Sequence, residues 1–310
     1  MSLILQAAAK DGASLPLGQL LYLERTEQWD SPAQGLIADF LAQPPVTEIA
    51  RLTVRDPDAG WEFDGYVDQQ DFRCGGDGCT LRLSARSRGG ALLDNEAMPQ
   101  AFYGLRYSAM MSRFASPYGL GWQTPENPVL SRFSIAGGSR VWQVIRDYCL
   151  LAFGQAPAVR EHILYPKGLP QTAARQPDRP LLSLECRRQP TRTVSAVLLR
   201  GKRGDYTARL RNFDDPIPQY PRLRYRVPGN EFTGQDLAQG HETILNSMRD
   251  YEVFTLELEG QSALRLGDMV ELEAYSGRPL QVGQVRRIFS QEGHRTLLQL
   301  QNHRWMRGGS

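Results

Sequence analysis

The sequence predicts an α+β fold that is rich in β-structure, with two small β-barrels flanking mixed α/β domains. Apolar and polar residues alternate in short segments near both ends of the chain, whereas apolar residues in the middle recur at helical spacing. One strand near each end also has a glycine among its apolar residues, which permits the bend that barrel closure needs. The predicted domains are 1–90, an N-terminal β-barrel; 91–180, a mixed α/β domain with a Pro-rich connection; 181–250, an α/β domain; and 251–305, the strands of a C-terminal β-barrel.

Length and composition set outer limits on these domains. The chain has 310 residues, which suits two to four small domains, and 41% of them are hydrophobic. The mean hydropathy is −0.43, and no apolar run approaches the roughly 20 residues that a membrane span needs. We therefore expect no membrane anchor, no signal peptide, and synthesis and folding in a cytoplasm.

The net charge of +2 says little about partners, but the choice of basic residue says more. Only three residues are lysines, and 33 are arginines. Arginine suits planar, bidentate contacts at interfaces. A GC-rich genome, which favours arginine codons, explains the same excess, and the sequence leaves both explanations open.

The N-terminal third is predicted to be mostly antiparallel strands with one helix. Alternation predicts strands at Leu20–Leu23, Glu48–Arg55, Trp61–Asp68 and Cys79–Arg86. The helix is predicted from Ser31 as N-cap and Pro32 as its first residue, and it ends at two prolines. Its apolar face would be Leu36, Ile37, Phe40 and Leu41, and the two prolines are Pro44 and Pro45.

The middle of the chain is predicted to contain two helices before an irregular connection. The first has the apolar residues Tyr107, Met110, Met111 and Phe114. The second is predicted to be capped by Ser139 and ended by Gly154, with Val141, Trp142, Ile145, Tyr148, Cys149 and Ala152 on its apolar face. Five prolines between residues 155 and 180 predict a surface-running connection.

Strands return after the connection, with one further helix. Strands are predicted at Leu181–Arg187 and Thr193–Gly201, the second with Val194, Ala196 and Leu198 alternating. Thr233 would cap a helix whose apolar face is Leu237, His241, Ile244, Leu245 and Met248. The last sixty residues predict four short strands joined by turns, including turns at Gly267, Gly277 and Gly293.

No pattern of residues predicts a catalytic, cofactor or metal site. The chain lacks a phosphate-binding glycine loop, a Gly-x-Ser-x-Gly elbow and a zinc-type histidine spacing. The histidines at 162, 241, 294 and 303 lie in unlike contexts, with His241 predicted to be a hydrogen-bonded residue at the edge of the apolar side of its helix and His294 predicted to be exposed after a turn. Asp214 and Asp215 precede a proline, which is ordinary turn chemistry, although paired carboxylates also do acid–base work.

The cysteines and one arginine row complete the candidate features. Cys149 is predicted to lie in a core, and Cys74 and Cys79 are predicted to be two thiols at a hairpin tip rather than a metal knuckle. Arg222, Arg224 and Arg226 alternate with apolar residues, so on a strand they would share one face. That face is a candidate interface for phosphates or an acidic partner, with a solvated outer face as the alternative.

Several segments, taken in order, resemble the hub family of phage contractile tails, which includes the late control protein D group and the tail hubs of defective prophages. The resemblance covers roughly residues 45 to 302. Its motifs are Phe63-Asp64-Gly65-Tyr66-Val67-Asp68, Ser84-Ala85-Arg86-Ser87, Leu92-Leu93-Asp94-Asn95-Glu96-Ala97 with Pro99, Pro117-Tyr118-Gly119-Leu120, Phe133 and Ile135 before Gly138-Ser139 and Trp142, and Leu266-Gly267-Asp268 with Val270.

The resemblance implies a structural, non-enzymatic baseplate hub. Each of three identical subunits would supply two similar β-barrels, and the trimeric ring would adapt a sixfold tail tube to a threefold central spike. The implied partners are the tube protein, the spike protein, and tape-measure and LysM-type baseplate proteins, with DNA only passing through the lumen. The implied location is the tail of a virion or phage-like particle that is assembled in the bacterial cytoplasm.

Two other classes of function remain as alternatives. A tail-associated peptidoglycan hydrolase would need a carboxylate or Cys/His site, which the sequence does not show. A small-barrel nucleic-acid-binding protein would need a basic strand face studded with aromatic residues, and only residues 222 to 226 approach one. The sequence leaves open whether the machine is an infectious phage, a tailocin or a secretion apparatus.

Overall fold

A computed structural model describes residues 3–42, 47–76, 78–201, 203–227, 233–273, 275 and 278–302. The strands are β1 (Ile4–Ala8), β2 (Ser14–Leu15), β3 (Gln19–Gln28), β4 (Gly35–Leu41), β5 (Arg51–Asp56), β6 (Trp61–Gly75), β7 (Gly78–Ser87), β8 (Gln100–Arg106), β9 (Gly121–Trp122), β10 (Val129–Ile135), β11 (Ala158–Arg160), β12 (Ile163–Tyr165), β13 (Leu181–Arg188), β14 (Ala196–Leu199), β15 (Ala208–Arg211), β16 (Leu223–Arg226), β17 (Glu252–Glu259), β18 (Met269–Val270), β19 (Leu280–Ser290) and β20 (Gly293–Asn302). The helices are α1 (Gly90–Asp94), α2 (Tyr107–Phe114), α3 (Val141–Phe153) and α4 (Thr233–Arg249).

Both ends of the chain contribute to one twelve-stranded sheet. Its strand order is β13-β17-β20-β19-β3-β4-β7-β6-β5-β1-β2, with β18 paired to β19. The N-terminal and C-terminal halves meet where β3 pairs antiparallel with β19, from Gln28 opposite Gln284 to Tyr22 opposite Ser290. We call this junction the seam. Smaller sheets join β8 to β10, β9 to β11 and β12, and β14 to β15 and β16.

The β-rich α+β class is confirmed, but the two separate closed barrels are not found among the described residues. The strand path of the large sheet is open, ending at β13 on one side and at β2 on the other. At the seam, β3 and β19 satisfy each other's backbone hydrogen bonds instead of closing within their own halves. The domain boundaries at 90, 180 and 250 stay a prediction.

Separate apolar cores lie beneath the two halves of the sheet and in the middle of the chain. The N-terminal core includes Leu23, Leu36, Phe40, Leu52, Phe63 and Leu83. The C-terminal core includes Phe254, Leu256, Leu264, Val282, Leu298 and Leu300. The middle core includes Tyr107, Met110, Phe133, Trp142, Ile145 and Tyr148. Most of these residues were predicted from alternation or helical spacing.

The helix predicted after Ser31 is wrong, because residues 35–41 form strand β4. Leu36, Ala38 and Phe40 point into the N-terminal core, which is the period of a strand. The Ser31 hydroxyl accepts a hydrogen bond from the Ala33 N–H at 3.2 Å, so this residue makes a local turn instead of a helix cap. The predicted stop at Pro44 and Pro45 lies outside the described residues.

The other predicted helices are present, with differences at their ends and faces. Helix α2 buries all four of its predicted apolar residues. Helix α3 begins at Val141, so Arg140 rather than Ser139 is its N-cap, and Gly154 ends it at φ 69°. On α4, Ile244 and Met248 are buried but His241 is exposed, which contradicts its predicted place on the apolar side. The side chain of the predicted cap Thr233 lies outside the described residues.

The cysteine predictions are half right. Cys149 is fully buried in the middle core, as predicted. Cys74 and Cys79 are not free thiols, because they face each other across the β6–β7 hairpin and form a disulfide. The connection predicted at residues 155–180 is mostly irregular, as expected, with the short strands β11 and β12 inside it, but it does not run only over the surface, because Ala158, Leu164 and Leu169 are fully buried.

The two strand glycines serve different purposes. Gly283 lies at a β-bulge, where the register shifts between Val282 and Gln284, and its carbonyl accepts the Trp29 N–H at 2.9 Å. Gly65 is needed for close approach, because a Cβ there would lie 2.4 Å from the Arg86 carbonyl oxygen. The bulge on β6 falls at residue 68 instead.

Replacing Gly65 by alanine should lower the free energy of unfolding by about 1–3 kcal/mol, because the added methyl group meets backbone. Gly35→Ala is the matched control, since a Cβ at that strand glycine meets nothing within 4 Å. Urea unfolding of both variants measures the difference. Equal stability of the two variants would contradict the close approach at Gly65.

Candidate interface surfaces

The predicted arginine row does not form one exposed face. Arg222 precedes β16 and is buried, with its Nε donating to the Thr193 carbonyl at 2.6 Å and its Nη2 forming an ion pair with the Asp215 carboxylate. Its Nη1 donates to the carbonyls of Ile217 and Tyr220. Arg222 therefore holds the loop from 215 to 221 against the small sheet.

The other two arginines of the row lie on the side of the small sheet that faces α4. Arg224 lies opposite Val197 and Arg226 opposite Leu199, and both of those residues pack in the small core beneath α4. The Arg226 guanidinium donates to the Gln239 side chain on α4, and Arg224 stays exposed. That Arg224 contacts a partner stays a prediction.

Asp215, one of the two carboxylates considered for acid–base chemistry, is a structural group. Burial raises its pKa, but hydrogen bonds from Ser195 and the Ile217 N–H, together with the charge of Arg222, hold the pKa below its usual range. A carboxylate that is kept ionised in this way is poorly suited to donate a proton near neutral pH.

The outer face of the small sheet carries aromatic and basic side chains that sequence reasoning missed. Leu198, in the central strand β14, lies opposite Arg209 on one side and Tyr225 on the other. The Tyr225 ring packs edge-on against Tyr206, with ring centroids 5.2 Å apart. We call this surface the Tyr–Arg face; its residues are Leu198, Tyr206, Arg209, Arg211, Leu223 and Tyr225. Of the residues predicted to alternate on strand 193–201, Val194 lies in the small core and Ala196 is buried, but Leu198 lies on the outer face while Val197 and Leu199 point toward the core.

On the large sheet, by contrast, most exposed arginines are neutralised by carboxylates. The bidentate pair of Arg51 with Asp64 has both N–O distances at 2.6 Å, and Arg286 binds Glu24 in the same way at 2.9 and 2.8 Å. Further pairs are Arg55–Glu62, Arg82–Asp39, Arg86–Asp68, Arg188–Glu252 and Arg295–Glu257. This surface therefore offers few free guanidinium groups to phosphates.

Strand β13 is an exposed edge of the large sheet. All eight of its residues are exposed, including Leu181 at 48% and Leu182 at 50%. Leu184 and Cys186 lie opposite Leu256 and Phe254, which belong to the C-terminal core. The two residues of β13 therefore lie on the same face of the sheet as that core but are exposed to solvent. Long exposed apolar edges are typical sites of strand pairing with another chain.

Buried charge separates the two cores at the seam. Glu27 pairs with both Arg25 and Arg287, and all three side chains are buried. Burial lowers the pKa of Arg25 and lowers that of Arg287 to about 10, despite the attraction of Glu27. The Arg25 guanidinium also lies 4.8 Å from the centre of the Trp61 ring.

A cleft of about 550 Å³ opens beside the seam, between the N-terminal half-sheet and the β11–β12 hairpin. Its lining includes His162, whose pKa is lowered by burial and by nearby Arg88, and Glu161, which pairs with Arg265 at 2.9 Å. The lining has four arginines and four carboxylates and no serine or cysteine. It therefore places no serine or cysteine nucleophile beside His162.

The remaining histidines do not converge on a site. His294 is half-buried against Phe289 at 4.8 Å between ring centres, rather than exposed as predicted, and His303 lies outside the described residues. Within the described ranges, no three His, Cys, Asp or Glu side chains lie close enough to hold a metal ion. No helix in the same ranges is long and apolar enough to cross a membrane.

The Asp64 pair gives a testable acid dependence. The hydrogen bond from Arg51 is the largest influence on the pKa of Asp64 and lowers it. Burial has a smaller effect in the opposite direction, and a hydrogen bond from Arg88 adds to the lowering, so the pKa lies below its usual range. Its contribution to stability is therefore complete above the unfolded pKa of about 4 and is lost as the pH falls through the lower folded pKa. Asp64→Asn should cost roughly 1 kcal/mol at neutral pH and flatten the acid dependence. Urea unfolding across this range tests it, with exposed Glu62→Gln as the control.

The fold is shared with proteins of phage tails. The tail protein from Neisseria meningitidis MC58 superposes with a TM-score of 0.74 at 15% identity, over 100% of both chains. The 43 kDa tail protein of prophage MuSo2 from Shewanella oneidensis gives 0.74 at 12% identity, over 97% of this chain and 98% of that one.

A third similar structure comes from a secretion system. The E. coli c3393 protein, a component of the type VI secretion system that is similar to the T4 tail proteins gp27 and gp5, has a TM-score of 0.57 at 10% identity, over 97% of this chain and 77% of that one. No protein-family model and no curated protein matches the sequence. The resemblance of the motifs to tail proteins is thus confirmed at the level of the fold: the chain has the fold of phage and prophage tail proteins and of a type VI secretion component.

Proposed function

We propose that this protein is a structural, non-enzymatic hub of a phage-like contractile tail. Three copies form a ring that adapts a sixfold tail tube to a threefold spike. The observation that carries the proposal is the match to the tail protein from Neisseria meningitidis over the whole length of both chains. A match limited to one common small domain would carry much less weight.

The two halves of the large sheet support a role in symmetry matching. Each half has its own core, and the seam joins them side by side in one subunit. Three subunits then present six similar sheet units, which is the number a sixfold tube requires. In this proposal each half-sheet acts as one of the barrel-like units of the ring.

The free edges of the sheet support contacts between subunits. The two ends of the strand path, β13 and β1–β2, lie on opposite halves of the subunit. A contact between unlike edges is heterologous, and such contacts generate closed rings when the rotation between subunits closes. The exposed leucines of β13 would then be covered on assembly.

The proposed partners are the tube protein, the spike protein, and tape-measure and LysM-type baseplate proteins, in a particle assembled in the bacterial cytoplasm. The genes that flank this one identify the machine. A tape-measure or LysM-bearing gene on one side and a spike gene on the other support a tail. A type VI cluster would place the same hub in a secretion apparatus.

Co-expression with the neighbouring tube and spike proteins tests the proposal. The expected result is a complex with three copies of this chain, seen by native mass spectrometry and by electron microscopy as a ring. A monomer in isolation is compatible with the proposal, because such a ring can form only on assembly. A chain that binds neither neighbour and forms no ring under any of these conditions contradicts it.

A further inference from the structure

The Tyr–Arg face differs in charge from the rest of the molecule. Residues 196–227 contain eight Lys and Arg residues and three Asp residues, which gives this segment a formal charge of +5. Because the whole chain is +2, the remainder is −3. Residues 196–227 are therefore strongly basic, in a chain that is otherwise slightly acidic.

The arginines of the Tyr–Arg face also lack the carboxylate partners found on the large sheet. In the part of the chain that the structure describes, Arg209 and Arg211 form no ion pair, and both side chains are exposed. Arg55 and Arg295, which are similarly exposed strand residues, each pair with a glutamate on the neighbouring strand. Arg209 and Arg211 therefore leave two unpaired positive charges on this face.

The centre of the Tyr–Arg face is apolar. Leu198 on β14 and Leu223 on β16 are half-buried, and Tyr225 on β16 is 62% exposed. Tyrosine and arginine side chains around an apolar centre are among the residues that contribute most of the binding energy at protein interfaces. We propose that the Tyr–Arg face docks an acidic surface of a partner protein. The proposal rests on the proposed function only in taking that partner from the tail.

The ring geometry favours a protein over a nucleic acid. Proteins that bind single strands offer aromatic rings as platforms for successive bases. Tyr206 and Tyr225 are nearly perpendicular, at 86°, so one ring covers the other and no row of platforms results. Carboxylates placed around an apolar contact would meet both the arginines and the leucines.

The test compares two variants of the full chain that remove equal charge. Arg209→Gln/Arg211→Gln changes the Tyr–Arg face, and Arg55→Gln/Arg295→Gln changes the large sheet. Tyr225→Ala removes the ring without changing charge. Thermal unfolding first shows that each variant is folded. Binding is then measured to the purified tube and spike proteins, to poly-L-glutamate and to a short DNA duplex.

We expect Arg209→Gln/Arg211→Gln and Tyr225→Ala to weaken binding to one tail protein at least tenfold, while the large-sheet variant binds like wild type. Poly-L-glutamate binding should fall only for Arg209→Gln/Arg211→Gln. Unchanged protein binding by that variant overturns the proposal, as does a loss confined to DNA. If wild type binds neither tail protein, the hub proposal fails. The binding of poly-L-glutamate then decides separately whether the Tyr–Arg face docks an acidic surface. Binding that is tenfold weaker for Arg209→Gln/Arg211→Gln than for wild type supports such a partner, and equal or absent binding contradicts it.

Discussion

Replacing Glu27 by glutamine should lower the free energy of unfolding by roughly 3–5 kcal/mol. The substitution leaves two guanidinium groups, those of Arg25 and Arg287, buried at the seam without their shared carboxylate. Uncompensated buried charge is among the most destabilising changes known in proteins. Urea unfolding followed by tryptophan fluorescence would measure the loss, since Trp61 touches Arg25.

The surroundings of these arginines explain why solvent cannot replace Glu27. The Nη2 atom of Arg287 donates to the carbonyls of Ser262 and Leu264 at 3.3 and 2.9 Å, so these bonds use only some of the hydrogen-bond donors of the guanidinium. The Nε atoms of both arginines already lack a partner among the described residues. Glu62→Gln is the control, because its pair with Arg55 is exposed and should contribute less than about 1 kcal/mol. Similar losses for both variants would show that the seam charges are solvated.

Replacing Phe63 by alanine should cost about 3–5 kcal/mol, because its ring is fully buried at the centre of the N-terminal core. Phe213→Ala is the control, since that ring is 91% exposed and its loss should change stability by about 0.5 kcal/mol or less. Chemical denaturation of the two variants gives the comparison. A small effect at Phe63 would mean that the core can collapse around the missing ring.

The same variant tests whether the halves of the sheet unfold together. The seam pairs seven residues of β3 with seven of β19, so loss of the N-terminal core should also expose the edge of the C-terminal half. Hydrogen exchange of Phe63→Ala should therefore speed up in β19 as well as in β6. Unchanged protection of β19 would show that the C-terminal half is stable by itself.

Strands and helices with one dominant period could be predicted from the sequence. Phe254, Leu256 and Leu258 alternate and are buried, and the spacing of Tyr107, Met110 and Met111 fits only a helix. Residues 36–41 satisfy both periods, because Leu36, Ile37, Phe40 and Leu41 also fall on one helical face. There, pairing of β4 with β3 and β7 decided the outcome, and such long-range pairing leaves no local signal.

The candidate surfaces were harder to predict than the fold. Arg222 fits the alternating sequence pattern of Arg224 and Arg226. It is nevertheless buried, because it forms an ion pair with Asp215, 7 residues earlier in the chain. The Tyr–Arg face combines Tyr206, which precedes β15, with residues from three strands whose register the sequence does not state. A net charge counted over segments, rather than over the whole chain, was the one available signal for it.

The seam also has a consequence for the order of events during synthesis. Arg286 and Glu24 lie 262 residues apart in the chain but bind each other across β19 and β3. As the chain leaves the ribosome, the edge of β3 therefore stays open until β19 has been made. Folding dominated by such distant pairings is slow, and the waiting edge is prone to pair with other chains. Yield of the soluble protein should thus depend on slow translation and on chaperones more than the stability of the finished molecule suggests.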